Sequence, residues 1–298
     1  MKKINTIDLF AGCGGLCEGF EMSGHYNTLA CVEWEKAPCV NLEKHLKEKW
    51  NYTDANRRVF RFDIQRTDEL FYGWNDAEYG KSLGLDSCIK NKKLDLIIGG
   101  PPCQAYSVAG RIRDEHGMKD DYRNFLFESY VKVLKHYKPK AFVFENVPGI
   151  LSAKPTGKPI IDVIKKTFDE AGYVVLNDLS KAIIDFTEYG VPQKRSRVII
   201  LGLSKDEYGE HAYQIINDFY LKVLPSFKVK KKATVRDAIG DLPALYPTED
   251  FIFNGKRYSH TIPKDSPPNH ASRWHNKRDQ KIFRLLANDI SSGEKKYV

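Results

Sequence analysis

The sequence predicts an α/β fold: a mostly parallel, twisted sheet with helices on both faces. Three observations lead there. Short apolar runs alternate with amphipathic stretches through the first two hundred residues, the pattern of strands joined by helical crossovers. A run such as RVIILGL at residues 197–203 is apolar almost throughout, as a strand buried on both sides must be. Hydrophobic residues make up 42% of the 298, enough for a sizeable core and too many for a disordered chain.

The elements follow in order. INTIDL at 4–9 reads as a strand and residues 14–23 as a helix, followed by a strand at 28–33 (TLACVE) and a helix at 38–50 with Leu42 and Leu46 on one face. A short strand at 59–62 comes next. Residues 65–93 are long, polar and weakly periodic, and are expected to form a surface insertion. LDLII at 94–98 is a strand, 125–136 a helix, AFVFE at 141–145 a strand and 159–171 a helix ended by Gly172. Strands at 173–179 and 197–203 complete the sheet. After Asp206 the alternation fades. FKVKKK at 227–232 reads as a basic linker, and 248–276 is rich in Pro, Asn, Ser, Lys and His. Residues 278–290 look helical again, with Ile282, Leu285, Leu286 and Ile290 at helical spacing. These breaks divide the chain into a catalytic and cofactor-binding domain at 1–225 and a linker with a further region at 226–298.

The net charge of +8 permits a nucleic-acid partner without requiring one. No apolar run approaches the roughly 18 residues of a membrane span, and the N-terminus lacks the apolar core of a signal peptide. The expected location is therefore cytoplasmic, with no membrane partner and free thiols. The six cysteines (Cys13, Cys17, Cys31, Cys39, Cys88 and Cys103) form no C-x-x-C pair and lie at no zinc spacing, so no metal is expected.

Asp8 to Gly15 (DLFAGCGG) joins the first strand to the first helix. Glycines there let the backbone turn sharply and approach a ligand at the positive end of a helix. Glu33 ends the second strand and can accept both hydroxyls of a ribose. Trp34 follows and can lie against an adenine. Asp63, ending the third strand, can accept from an adenine amino group. The set describes an adenosine-containing ligand. It departs from the dinucleotide fingerprint, because Cys17 stands where the third glycine belongs. Asp8 beside the turn suits a cationic ligand better than a pyrophosphate, and S-adenosylmethionine carries an amino group and a sulfonium centre. A plain tight turn would look the same in isolation.

Gly99 to Gln104 (GGPPCQ) follows the fourth strand, at the strand ends where ligands of open parallel sheets bind. Two glycines and two prolines make a stiff loop fit to hold a nucleophile. Its polar and basic neighbours Gln104, Ser107, Arg111 and Arg113 favour a thiolate at Cys103. The apolar strand at 141–145 ends in Glu145, a carboxyl that burial can turn into an acid; a loop carboxylate is the plainer alternative. QKRSR at 193–197 leads into the last strand. Arg195 and Arg197 alternate along it and are expected on opposite faces.

Together and in this order, DLFAGCGG, GGPPCQ, FENV and QKRSRV closely resemble the cofactor loop, nucleophile loop, acid motif and arginine motif of the cytosine-5 DNA methyltransferases, over residues 4–203. TVRDAIGDLP at 234–243 is similar to the segment preceding that family's target-recognition region. The resemblance implies a Rossmann-like S-adenosylmethionine-dependent methyltransferase fold. It implies a DNA (cytosine-5)-methyltransferase acting on double-stranded DNA in a bacterial or phage restriction–modification system, leaving S-adenosylhomocysteine. Cys103, Glu145, Arg195 and Arg197 would be catalytic, with Cys103 bonded covalently to C6 of a flipped-out base. Asp8, Phe10, Gly12, Gly14, Glu33, Trp34, Asp63, Ile64, Gly100, Pro102 and Leu126 would bind the cofactor. Gln104, Ser107, Arg111, Arg113 and Gln193 would meet DNA, and residues 106–121 would close as a lid. An RNA cytosine-5 methyltransferase is the alternative substrate reading. The family's returning terminal helix and the motif before it are not recognisable in residues 204–298. The expectation is therefore a fragment, or one subunit completed by a complementary C-terminal segment.

Overall fold

A computed structural model describes residues 2–89, 92–102, 126–154, 157–294 and 296–297. The chain divides into two compact units, Met1–Lys232 and Ala233–Val298.

Strands of the first unit are β1 (Ile4–Leu9), β2 (Tyr26–Glu33), β3 (Val59–Arg61), β4 (Trp74–Asp76), β5 (Gly80–Ser82), β6 (Leu96–Gly99), β7 (Ala141–Asn146), β8 (Tyr173–Val174), β9 (Ile183–Asp185) and β10 (Ser196–Ser204). Eight of them form one sheet in the order β3-β2-β1-β6-β7-β10-β8, with β9 paired to β10. The pairs from β3 to β7 are parallel, and β10 runs antiparallel to β7, β8 and β9. The chain winds outward from β1 to β3 and returns to lay β6 on the other side of β1. This reversal opens a crevice at the carboxyl ends of β1 and β6.

One sheet face carries the large core. Phe142, Phe144, Ile97, Val198 and Ile200 pack there with Tyr130 and Phe168, all at most 2% exposed. Tyr130 and Phe168 come from helices Leu126–Tyr137 and Ile160–Glu170. The Phe142 ring presses so closely on Gly202 that an added Cβ would meet it at 2.1 Å. The opposite face receives helices Gly15–Met22 and Lys36–Glu48, whose Cys17, Leu42 and Leu46 make a smaller cluster with Cys31.

The outer edge of β10 pairs with β9 at Ser196–Val198 and with β8 at Leu203–Ser204. Between them the Tyr220 hydroxyl takes a strand's place. It donates to the Ile199 carbonyl at 2.5 Å and accepts from the Leu201 N–H at 2.9 Å.

Three sequence expectations change. Residues 65–93 are not a surface insertion. They fold into helix Thr67–Tyr72, hairpin β4–β5 and helix Gly84–Ile89, and they bury Leu70, Phe71, Trp74 and Leu85 in the main core. The strand expected at 173–179 is only Tyr173–Val174, because the chain then turns through Leu179–Ala182. The polar stretch from 248 contains a hairpin, β11 (Pro247–Phe253) and β12 (Lys256–His260). Its turn residues Asn254 and Gly255 both have positive φ, 49° and 71°, as a tight hairpin turn demands. The second unit also holds helix Val235–Ile239, closed by a Thr234–Asp237 capping box, and helix Lys277–Ser292. Among the described residues, no helix is long and apolar enough to cross a membrane.

Candidate active site

The turn after β1 is built from three left-handed residues, Phe10 (φ 59°), Gly12 (φ 55°) and Gly14 (φ 86°). Glycine adopts this conformation freely, whereas for phenylalanine it costs about 1–2 kcal/mol. The strained Phe10 lines a cavity of about 370 Å³, a volume in the range of small-ligand sites. Glu33, Trp34, Asp63, Ile64, Gly100, Pro102 and Leu126 line it too, so eight of the eleven expected cofactor residues meet in one place. Val32, Glu35, Phe62 and Gln65 complete the wall. The sequence reasoning missed these four, although each adjoins a residue it found.

The cavity's carboxylates are held by backbone amides. Glu33 accepts from the Gly12 N–H at 2.8 Å and the Glu35 N–H at 2.9 Å. Asp63 accepts from the Gln65 N–H at 2.9 Å. Both keep spare lone pairs for a ligand's hydroxyl or amino groups. Trp34 is half exposed at the rim, 49%.

Asp8, Gly12 and Gly14 stand outside this wall. Gly14 lies where a Cβ would come within 2.5 Å of Leu42. Asp8 is fully buried beneath the turn. One of its oxygens accepts the Cys17 N–H of the first helix at 3.1 Å, and the other has no hydrogen-bond partner. Burial, with the nearby Glu33 charge, pushes its carboxyl up to about 8 against the lowering effect of the Cys17 amide.

The second cluster forms where β7 meets β10. Glu145 stands opposite Ile199 in the antiparallel register, so Arg197 reaches it diagonally. Arg197 Nε donates to Glu145 Oε1 at 2.9 Å, and an Arg195 guanidinium nitrogen lies 3.9 Å from the same oxygen. The expectation of opposite faces is not met: residues two apart on extended chain share a face, and both guanidinium groups turn to Glu145. Gln193 is exposed in the turn before β10. The Asn146 side chain, also missed from sequence, is buried and donates to the Pro101 carbonyl at 3.4 Å. A Cβ on Gly100 would stand 2.8 Å from Glu145 Oε2. Gly100 thus touches both the cavity and the acid, and only glycine leaves them room to meet. Cys103, Gln104, Ser107, Arg111, Arg113 and the lid at 106–121 lie outside the described residues.

A family model for C-5 cytosine-specific DNA methylases matches residues 4–297. The chain belongs to this family. The methylase is 34% identical over 350 aligned residues to a Type II methyltransferase of Bacillus paralicheniformis, covering 97% of this chain and 75% of the relative. It is 35% identical over 246 residues to a Type II methyltransferase of Desulfomicrobium norvegicum, covering 81% of this chain and 49% of that one. The methylase therefore spans three quarters of the first relative and about half of the second. A crystal structure of a prophage-encoded E. coli protein, assigned as a DNA modification methyltransferase, shares the fold, with a TM-score of 0.58 at 24% identity over 96% of this chain and 70% of that one.

Proposed function

We propose that the protein transfers a methyl group from S-adenosylmethionine to C5 of cytosine in double-stranded DNA, as the modification enzyme of a cytoplasmic restriction–modification system. One observation carries the reading. The cavity and the Glu145–Arg197 pair share Gly100, three residues before Cys103.

The residues fit the cofactor: aromatic and aliphatic walls for adenine, two amide-held carboxylates for polar edges, and an unpartnered buried carboxyl oxygen below the turn. Phe10 and Trp34 would flank the adenine, with Asp63 and Ile64 at its edge and Glu33 on the ribose. Gly12, Gly14 and Asp8 would support the methionine end, and Gly100, Pro102 and Leu126 would close the pocket. When bound, S-adenosylmethionine supplies an electrophilic methyl group and leaves as S-adenosylhomocysteine.

The protein's task is to make C5 of cytosine nucleophilic. The Cys103 thiolate adds to C6, which gives C5 enamine character. Glu145, carrying a proton, binds N3 and takes up the charge that develops there. Arg197 holds O2 while Arg195 steadies the nucleophile loop and a nearby phosphate. Loss of the C5 proton then expels Cys103 and restores the aromatic ring. The target base must first leave the helix stack, at a cost of a few kcal/mol. Gln104, Ser107, Arg111, Arg113 and Gln193 would then hold the DNA.

The test is transfer of labelled methyl from S-adenosylmethionine to unmethylated genomic DNA, with transfer RNA as the competing substrate. Signal on DNA that vanishes in Cys103→Ser, while cofactor binding survives, is the expected result; normal transfer in that variant overturns the mechanism. Glu33→Ala should weaken cofactor binding by about 1–3 kcal/mol. The relatives' greater length favours a second reading, a catalytic part that needs a complementary C-terminal segment. It expects transfer only when that segment is supplied.

A further inference from the structure

β7 and β10 lie inside the sheet, yet their burial alternates. Phe142 and Phe144 are fully buried on one face, while Ala141 and Val143 are only half-buried on the other. On β10, Val198 and Ile200 are fully buried, whereas Ile199 and Leu201 are not. The register puts Val143 beside Leu201, so the half-covered residues share one face. A parallel sheet of this kind normally has both faces covered. Here a groove of about 580 Å³ remains, floored by these strands and walled by Phe20 on one side and Tyr208 and Phe219 on the other.

The groove's width identifies what would fill it. Two strand spacings of about 4.8 Å equal roughly the 10 Å diameter of one helix. The helical segments on either side leave out one member of a helix layer. Charge gives the flank. Lys2, Lys3, Lys93 and Lys140 line the groove with a single acid, Asp95. Lys140 and Lys93 already pair with Glu207 at 3.1 and 3.7 Å, which leaves Lys2 and Lys3, both exposed, as the basic rim. The relatives carry a quarter to a half of their length beyond the part matched here, so chain of this family exists to provide such a helix.

We propose that the β7–β10 groove seats an amphipathic α-helix with an acidic flank, supplied by a second polypeptide. The apolar stripe covers Val143, Ile199 and Leu201, and the acidic flank meets Lys2 and Lys3. The seat is separate from the strand-end chemistry, so its test does not depend on methyl transfer.

The probe is a fluorescein-labelled 18-residue helical peptide with leucines along one face and glutamates along its flanks. Two controls accompany it: the same composition with the leucines scattered around the helix, and the same stripe with lysine flanks. Anisotropy titration against the full chain should show the glutamate-flanked peptide binding at least about tenfold tighter than either control. Leu201→Glu should abolish that advantage with the melting temperature retained. Lys2→Glu with Lys3→Glu, at exposed positions that carry no core, should reverse the preference toward the lysine-flanked peptide. Equal binding of striped and scattered peptides overturns the proposal, as does a preference that ignores the Lys2/Lys3 reversal. A dimer of this chain that Leu201→Glu dissociates would assign the groove to a second copy instead, and would equally overturn it.

Discussion

The two units bury opposite kinds of residue. The first has a continuous apolar interior, with Phe142, Phe144, Phe168 and Tyr130 wholly enclosed. In the second, the buried residues among those described are Ser259 and Asp289, and both are polar. Ser259 accepts from the His275 N–H at 2.9 Å, and Asp289 from the Tyr297 N–H at 3.1 Å. Asp250 joins Arg257 and Trp274, and the Arg257 guanidinium stacks on the Trp274 ring at 4.5 Å. Meanwhile Ile252 and Ile290 are 77% and 73% exposed. The first unit is held by area removed from water, the second by local hydrogen bonds and caps. Hydrogen bonds are worth about 1 kcal/mol each, and burying a large side chain about two to three times that. The contrast therefore forecasts where stability resides.

Its sharpest test is a pair of truncations. Phe144→Ala should cost about 3–5 kcal/mol in urea unfolding, whereas Ile290→Ala should stay within about 0.5. Comparable losses would break the contrast. Next comes the charge buried in the first unit. Asp8 keeps its proton in the folded protein up to about pH 8, while the unfolded chain releases it near pH 4. The folded state thus holds the extra proton across that window, and its stability falls as pH rises through it. Asp8→Asn removes that dependence. Its stability relative to the parent should improve by up to about 1.4 kcal/mol per pH unit between pH 5 and 8.

Smaller effects follow at the surface. Burial raises Glu18, but hydrogen bonds from Lys49, His45 and Trp50 outweigh it and pull the carboxyl down to about 2. Its contribution is present above its ordinary range and fades as pH falls toward 2. Glu18→Gln should cost about 1–2 kcal/mol at pH 7, with the gap to the parent closing below pH 4. Least of all, Trp274→Phe removes the 2.9 Å bond to Asp250. It should speed hydrogen exchange in β11 and β12 and leave the exchange of β7 unchanged. A shift in β7 would mean that the units melt together.

The same contrast explains what the sequence made legible. Strands such as Ile4–Leu9 and Ala141–Asn146 are nearly pure apolar runs between glycine or proline turns, and their reading matches the sheet. Eight of the expected cofactor residues share a cavity because each sits at a strand end or on the loop after one. Residues 65–93 were opaque for a physical reason. Leu70, Phe71, Trp74 and Leu85 reach the core from elements of three to six residues, too short to show a period. The β11–β12 hairpin was hidden by attention to composition. Its Asn254-Gly255 pair between FIF and KRY is the local signal that would have found it. Asn146 and Gly100 could not be ranked from sequence, since their roles rest on the 3.4 Å and 2.8 Å approaches that only the folded chain creates.

The Tyr220 hydroxyl has a consequence for how the molecule keeps to itself. By closing the gap between β8 and β9 it denies a docking register to any foreign strand at the open side of β10. A phenol is a small gatekeeper, and its loss need not unfold anything. Tyr220→Phe would keep the ring in its apolar seat and leave one carbonyl and one N–H bare. The effect would emerge as concentration-dependent self-association, a colloidal fault in a chain whose fold is intact.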